Sequence, residues 1–448
     1  MITVNLVKNI LNTKYEDFSD DLILHAKKSL LNWLGVTIGA INHESIDILL
    51  NVADEIGGSN HATILGRNVK KDILFATLIN GTSSHIFDFD DTHLDTIHHP
   101  SGPVAPVIFA LGEIHNISTK DLLRAFILGC EVELRISNAV YPSHYQLGYH
   151  ITSSVGVFGA AVAAGILLDL SEEQMAMALG IAGTQSFGLR EMFGTMTKPF
   201  HPGKAAQNGL LSALLAKKGF TSSIKVLEAK RGFANVLAPN HNLSKVLENW
   251  GKVFEFEKNA FKPYACGIVL HPAIDACIKL SKYAKPKEVE EIVLMVNPYV
   301  LELTGKQTPL TGLEGKFSIY HTGAVAFIDQ DASEDQYSDE KVNSTEVKTL
   351  RTKIKPIIDK NISEEKVVAI LRKTDGSEYS VKIENATGST ENPMTQEMLN
   401  NKFKKLCKKT LTEEQMERTI NDMMNLEKLS SIREIIKILN PVELTKKA

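Results

Sequence analysis

The sequence predicts a mainly α protein: a large all-helical domain with an inserted, smaller α+β domain. Three observations lead there. From residue 1 to about 250 the apolar residues recur at steps of three and four, the helical period. Beyond about 255 the texture changes to strand-like runs and a strong turn signal. From about 394 the helical period returns. At 448 residues the chain is too long for one ordinary core. The expected division is therefore 1–255 with 394–448 as the helical domain, and 256–393 as the α+β lid.

The elements follow in order. "MITVNLVKNILN" is amphipathic and lacks the apolar core and cleavage site of a signal peptide. "DDLILHAKKSLLNWLGVTIGA" and "STKDLLRAFILGCEVELRISNAV" carry helical stripes. Ser118 before Asp121, and Ser171 before Gln174, have the spacing of helix N-caps. The most apolar run, Val155 to Leu168, spans 14 residues, short of the roughly 20 needed to cross a bilayer. Its Gly and Ala content suits a helix packed closely inside the protein. No strand-like alternation of any length is expected in this first part.

In the insert, "EVEEIVLMVNP" (288–298) reads as a strand. "VVAILRKTDGSEYSVKIE" (367–384) reads as a hairpin turning at Asp375-Gly376. The polar stretch "DQDASEDQYSDEKVNSTE" between them is expected as a surface loop or exposed helix start. Helices resume at "MTQEMLNNKFKKLCKKTL", and Thr412 caps "TEEQ". The apolar stripe of this tail is expected to pack back on the first block, since two lone helices could not bury it.

Composition narrows the function classes. A net charge of −4 gives no electrostatic case for nucleic acid or an anionic membrane. The four cysteines, at 130, 266, 277 and 407, form no CxxC pair. That fits a reducing, cytoplasmic location and excludes zinc ribbons and ferredoxin-like clusters. There is no GxGxxG after a strand, no Walker loop and no GxSxG elbow.

Four segments carry candidate chemistry. "HIFDFDDTHLDTIHHPSG" (85–102) puts four Asp and four His into eighteen residues. On a helix Asp88 and Asp91 would share a face with Thr92, with Asp90 pointing elsewhere. Pro100 and Gly102 would then break that helix and leave His99 at a turn. A divalent metal, a solvated loop and a metal-free carboxylate–imidazole pocket all remain open, although the spacing matches neither an EF-hand nor HExxH.

In "TMTKPFHPGKAAQNGLLSALLAKKG" (195–219), Pro202-Gly203 is expected to interrupt the chain, with a helix starting near Lys204. Lys198, His201 and Lys204 would then surround a helix N-terminus, an anion-binding corner; surface lysines beside a turn are the alternative. In "FKPYACGIVLHPAIDACIKL" (261–280), Lys262 falls where the helical block gives way to the insert. Cys266 reads as a small buried residue rather than a nucleophile, and His271 as an N-terminal helix residue. His150 precedes "ITSS" at a helix entrance, usually a structural position.

In this order the segments "NGTSSHIFDFDDTH…HHPSGPVAPVIFALGE", "YHITSSVGVFGAAVAAGILLDLS", "MTKPFHPGKAAQNGLLSALLAKKGF", "FKPYACGIVLHPAID" and "EGKFSIYHTGAVAF" resemble the MmgE/PrpD family. That family includes 2-methylcitrate dehydratase, cis-aconitate decarboxylase and iminodisuccinate epimerase. The resemblance covers the chain from about residue 30 onward. It implies the two-domain architecture above, a homodimer, and a pocket between the domains using neither metal nor organic cofactor. By motif it places Asp88, Thr92, His99, His150, Lys198 and Lys262 in that pocket.

Lys198 and Lys262 would pair substrate carboxylates and stabilise developing negative charge. Asp88 or His99 would move the proton, and His150 would protonate a leaving hydroxyl. Thr92, His201 and Lys204 would bind substrate. Asp90, Asp91, His93, Asp95 and His98 are left as supporting or solvated groups. Tyr299, Lys316 and Tyr320 belong to the insert and carry no assigned role.

One position departs from the pattern. Animal-type cis-aconitate decarboxylases resemble this chain at Lys262 but carry a His where Gly267 stands. The leading expectation is a cofactor-independent lyase on a small di- or tricarboxylate, most like a 2-methylcitrate-type dehydratase. The alternatives are a cis-aconitate decarboxylase-like enzyme, an amino-dicarboxylate epimerase, and, outside enzymes, an inactive carboxylate-binding paralogue.

Overall fold

In the computed structural model residues 1–440 are described; the last eight positions of the 394–448 segment lie outside the described residues. Helix takes 57% of the residues and strand 9%, so the chain is mainly α with a smaller α+β part. It divides into two compact units. One comprises residues 1–86, 90–260 and the C-terminal stretch from Gln396; the other comprises Phe87–Phe89 and Phe261–Thr395. Among the described residues no helix is long and apolar enough to cross a membrane.

The helix starts of the first unit follow their caps. Ser118 Oγ accepts from the Asp121 N–H at 3.1 Å, and Ser171 and Gln174 bond reciprocally at 3.2 and 3.0 Å. Thr412 and Gln415 repeat that box. The Gly156–Leu167 helix is buried along nearly its whole length. Its small residues permit backbone contact: a β-carbon on Gly159 would fall 2.7 Å from the Gly129 carbonyl oxygen in the Thr119–Val140 helix. A similar approach joins the Ile73–Ser83 and Thr197–Lys217 helices, where a β-carbon on Gly81 would sit 2.6 Å from Gly203 Cα. The second of these helices carries Lys198, His201 and Lys204, and the His85–Gly102 segment follows the first.

The Gln396–Cys407 and Glu413–Met424 helices return to the Asp20–Gly39 helix, as their apolar stripe requires. Lys402 Nζ donates to Asn32 Oδ1 at 2.7 Å, and Lys27 Nζ donates to the Met424 carbonyl at 3.0 Å. Leu399, Phe403, Met416 and Met423 are buried.

Two expectations need correction here. The first 250 residues do contain strands: β1 (Ala62–Ile64) pairs with β2 (Val69–Lys71), and β3 (Thr92–His93) pairs with β4 (Asn259–Ala260). Runs of two or three residues are too short to show a period in sequence. Tertiary bonds hold them, such as Asn80 Nδ2 donating to the Thr63 carbonyl at 3.0 Å. The helix expected to start near Lys204 starts instead at Thr197 and contains Pro202. Proline removes only one N–H from the ladder, and its ring packs where a β-carbon on Gly102 would lie 3.0 Å away.

The second unit holds a four-stranded sheet in the order β6–β5–β7–β8. β5 (Val289–Val296) runs parallel to β6 (Ile354–Ile358) and antiparallel to β7 (Val367–Lys373), which pairs with β8 (Glu378–Ile383). The β7–β8 turn uses Gly376 at φ +84, a conformation that glycine reaches without a β-carbon clash. On β7 Val367, Ala369 and Leu371 alternate inward. The 329–346 stretch is not a simple surface loop. It forms a 3₁₀ turn (Glu334–Tyr337) and a short helix (Asp339–Asn343), with Ala332, Tyr337 and Val342 buried.

Candidate active site

The His85–Gly102 segment leaves the Ile73–Ser83 helix as a turn, not as a helical continuation. Asp88 takes φ +52, so the expected shared helical face of Asp88, Asp91 and Thr92 does not exist. Pro100 and Gly102 likewise do not break a helix. Pro100 is the N-cap of the Ser101–Ile114 helix and Gly102 lies in its first turn. Ile97 adopts φ +57, a strained state for a β-branched residue costing about 1–3 kcal/mol. The loop is closed over it by the His93 N–H donating to the His98 carbonyl at 2.7 Å.

Of the groups expected as supporting or solvated, only Asp95 is at the surface. Asp90, Asp91, His93 and His98 are completely buried. Local polarity suggested water contact, whereas neighbouring helices cover the segment.

The first unit assembles a row of four imidazoles. His99 Nδ1 lies 2.8 Å from the Asp91 carbonyl oxygen and 3.1 Å from Thr92 Oγ1. A carbonyl only accepts, so Nδ1 carries the proton and Nε2 presents the basic lone pair. Beside it, His85 Nδ1 is 2.7 Å from Asp90 Oδ2, and that carboxylate is 3.6 Å from His99 Nδ1. The His85 ring stands 4.8 Å from His99 and stacks at 5.7 Å on His150. His150 Nδ1 meets His201 Nδ1 at 2.9 Å, which requires one ring to donate and the other to accept.

Lys198 extends this row from the first turn of the Thr197–Lys217 helix, 5.9 Å from the centre of the Phe193 ring, which in turn packs on His150. Burial, reinforced by His85 and Lys198, holds His150 well below the usual imidazole range and His201 at about 4. Both are neutral at pH 7. Lys204, expected at the same corner, instead donates to Gln207 Oε1 at 2.5 Å. His85 is the member of the row that motif reading passes over, and Asp90, read as a supporting group, is its partner. The signal was a histidine directly after the small run Thr82-Ser83-Ser84, which announced close packing.

Beside the row lie two buried carboxyls, Asp91 and Glu133. Burial pushes the Asp91 carboxyl up to about 7 against the Ser101 hydroxyl, with the Asp90 charge and Asn259 as smaller influences. Asn259 Nδ2 donates to Asp91 Oδ2 at 2.6 Å. Glu133 and His98 stand 3.4 Å apart. Burial pushes Glu133 far up and His98 far down, so neither is charged at neutral pH.

A carboxyl whose folded value lies above its unfolded value of 3.8 binds its proton more tightly when folded. It therefore opposes folding as pH rises from about 4 through 7, by on the order of 1 kcal/mol per pH unit. Asp91→Asn is expected to flatten the fall in thermal midpoint between pH 4 and 7. Parallel pH profiles of the two proteins would refute this.

Two groups have ligand atoms mutually within 4.8 Å and are candidates to hold a metal: His85, Asp90 and His99, and separately His93, Asp95 and Glu255. The 2.7 Å His85–Asp90 contact is hydrogen-bond spacing; two ligands on one tetrahedral zinc stand about 3.3 Å apart.

In the second unit, Lys262 Nζ binds the Asp88 carbonyl oxygen at 2.9 Å and Oδ1 at 3.2 Å. It thus clamps the left-handed residue. Lys316 Nζ holds the adjacent Phe87 carbonyl at 2.5 Å and Glu334 Oε2 at 2.6 Å. Cys266 is buried and its thiol is pushed up to about 12, mainly by that burial, so it is no thiolate at neutral pH. At Gly267 a β-carbon would meet nothing closer than 3.8 Å; packing does not demand glycine there.

Comparison with known proteins agrees with these motifs. The MmgE/PrpD N-terminal domain matches residues 4–245 and the MmgE/PrpD C-terminal domain residues 264–426. Cis-aconitate decarboxylase of Mus musculus is 27% identical over 463 residues, covering 98% of this chain and 93% of its own. The Homo sapiens protein of the same name is 27% identical over 96% and 92%. A mitochondrial 2-methylcitrate dehydratase of Yarrowia lipolytica is 27% identical over 68% of this chain and 62% of its own. With both domain matches spanning nearly the whole length, and the HPSG and KPFHPGKAA segments contributing His99 and His201 to one buried imidazole row, this chain belongs to the MmgE/PrpD family.

Proposed function

We propose that the protein is a lyase that dehydrates a small hydroxy-tricarboxylate of the 2-methylcitrate type, using side chains alone. The observation that carries this reading is the buried row of four imidazoles with His99 Nδ1 fixed as a donor. A dehydration needs two proton-handling groups. One removes the C–H proton, and the other protonates the hydroxyl as the C–O bond breaks and water leaves. His99 Nε2 takes the first role, and the His150–His201 pair, sharing protons through Nδ1, takes the second. Lys198 pairs a substrate carboxylate. That anion offsets the Lys198 charge and raises the neighbouring imidazoles towards neutral values, so they can carry a proton once substrate is bound.

On the family resemblance, Asp88 is proposed as the alternative to His99 for moving the proton, Lys262 as a second cation for substrate carboxylates, and Thr92 as the group orienting His99. Homodimer assembly and a cytoplasmic location belong to the proposal too, on the family resemblance and the cysteine usage.

Decarboxylation of cis-aconitate is the second reading, favoured by relatives of that name aligning over 96–98% of the chain. There a C–C bond to departing CO₂ breaks and the carbanion takes one proton, so one proton-handling group suffices. Gly267, standing where animal-type decarboxylases carry a histidine, and the presence of a second proton-handling pair at His150 and His201 support dehydration.

Incubating the protein with 2-methylcitrate, citrate and cis-aconitate, with proton NMR of the products, separates the readings. Alkene formation from a hydroxy acid supports dehydration, and loss of CO₂ from cis-aconitate supports the second reading. Solvent deuterium entering an amino-dicarboxylate without loss of water or CO₂ would identify an epimerase. No turnover of any of them sinks the proposal.

A further inference from the structure

We propose that His93, Asp95 and Glu255 form a binding site for a divalent transition metal of the zinc class, separate from the imidazole row. His93 sits on β3, and its side chain is completely buried. Its Nδ1 is taken by Thr96 Oγ1 at 2.8 Å. Its Nε2 faces Glu255 Oε2 at 3.6 Å, within ion-pair reach but longer than a good hydrogen bond, and makes no hydrogen bond to another group; His93 is also the main influence lowering the Glu255 carboxyl. That distance is close to the roughly 3.3 Å between two ligand atoms on one tetrahedral zinc. Asp95 supplies the third ligand, with all three ligand atoms within 4.8 Å of one another.

A cation already gathers at this place. Lys258 Nζ lies 2.8 Å from Glu255 Oε2 and 3.4 Å from Asp95 Oδ2. With a side chain 44% exposed, its ammonium can move into water at little cost. A cavity of about 220 Å³ lined by Asp95, Glu255 and Lys258, but not by His93, opens beside the two carboxylates and gives a water access as fourth ligand. One imidazole with two carboxylates suits zinc or cobalt over calcium or magnesium, which prefer all-oxygen sets.

The consequence is mechanical. Successive residues of a strand point to opposite faces, so Thr92 and His93 divide β3 between the imidazole row and the metal site. Glu255 lies just before β4, the partner of β3. The ion would staple a two-residue ladder that otherwise holds Thr92 beside His99 through few bonds. It takes no part in the reaction itself.

The test uses the full chain, stripped with EDTA and freed of chelator, titrated with Co²⁺ and followed by visible absorption, with Zn²⁺ followed by calorimetry. One ion per chain is expected, with the intense bands of four-coordinate cobalt and a Zn²⁺-dependent rise in thermal midpoint. Asp95→Asn and Glu255→Gln, which keep size and shape, are expected to weaken binding at least tenfold. Lys258→Met, which removes the competing ammonium, is expected to tighten it by a similar factor. Uptake that survives both carboxamide variants, or no stoichiometric uptake by the natural protein and Lys258→Met alike, overturns the proposal.

Discussion

Replacing His99 by asparagine is expected to lower kcat/KM by roughly 10²–10⁴ while leaving the fold in place. The substitution is chosen for its geometry. The asparagine amide nitrogen occupies nearly the position of imidazole Nδ1, so the bond to the Asp91 carbonyl, 2.8 Å long in the natural protein, can persist. What disappears is Nε2, the lone pair that Nδ1 protonation leaves available. His99 is 5% exposed and its ring touches His85, so a thermal midpoint within a few degrees of the natural protein would show that packing survived. Activity within tenfold of the natural protein would remove His99 from the role of base.

Lys262→Met is expected to cost about 3–5 kcal/mol of stability as well as turnover. The Lys262 side chain is 2% exposed and that of Asp88 10%, so water replaces the lost ammonium poorly. Lys262 also holds the Asp88 carbonyl oxygen. Its loss therefore releases a left-handed backbone together with a buried carboxylate. Lys262→Arg keeps a cation and should recover much of the stability. Arginine's planar fork fits a site built for one ammonium poorly, so turnover should recover less. Urea midpoints and kcat/KM for the three proteins check both parts; a Lys262→Met protein as stable as the natural one would contradict the clamp.

These expectations rest on contacts of unequal visibility in the sequence. The caps at Ser118, Ser171 and Thr412 were legible because a cap is a local bond between residues three apart. The hairpin at Asp375-Gly376 was legible for the same reason. Motif reading names His99, Thr92, His150, Lys198 and Lys204, the last of which donates to Gln207 Oε1. It passes over the His85–Asp90 contact. The backbone of residues 84–91 brings those two together by leaving the helical path, and no periodicity reports a turn of that kind.

The errors share a cause. In sequence, Pro202 and the Pro100–Gly102 pair read as helix breakers because isolated helices tolerate proline badly. Here the first lies inside a helix and the second begins one, since packing against Gly102 and a favourable helix start outweigh a single missing N–H. The buried Asp91 is a second instance. Its polarity in the sequence suits a supporting or solvated group, yet burial takes it out of the solvent and raises its carboxyl to about 7.

By itself the sequence determined the helical class, the α+β insert, the caps and the family, because periodicity, turn chemistry and motif order are properties of neighbours along the chain. Only the tertiary structure decided which nitrogen of His99 is basic, that four imidazoles stand in a row, and that Lys262 clamps Asp88 174 positions away. Each depends on desolvation and on distances between remote residues, and these exist only once the chain has packed.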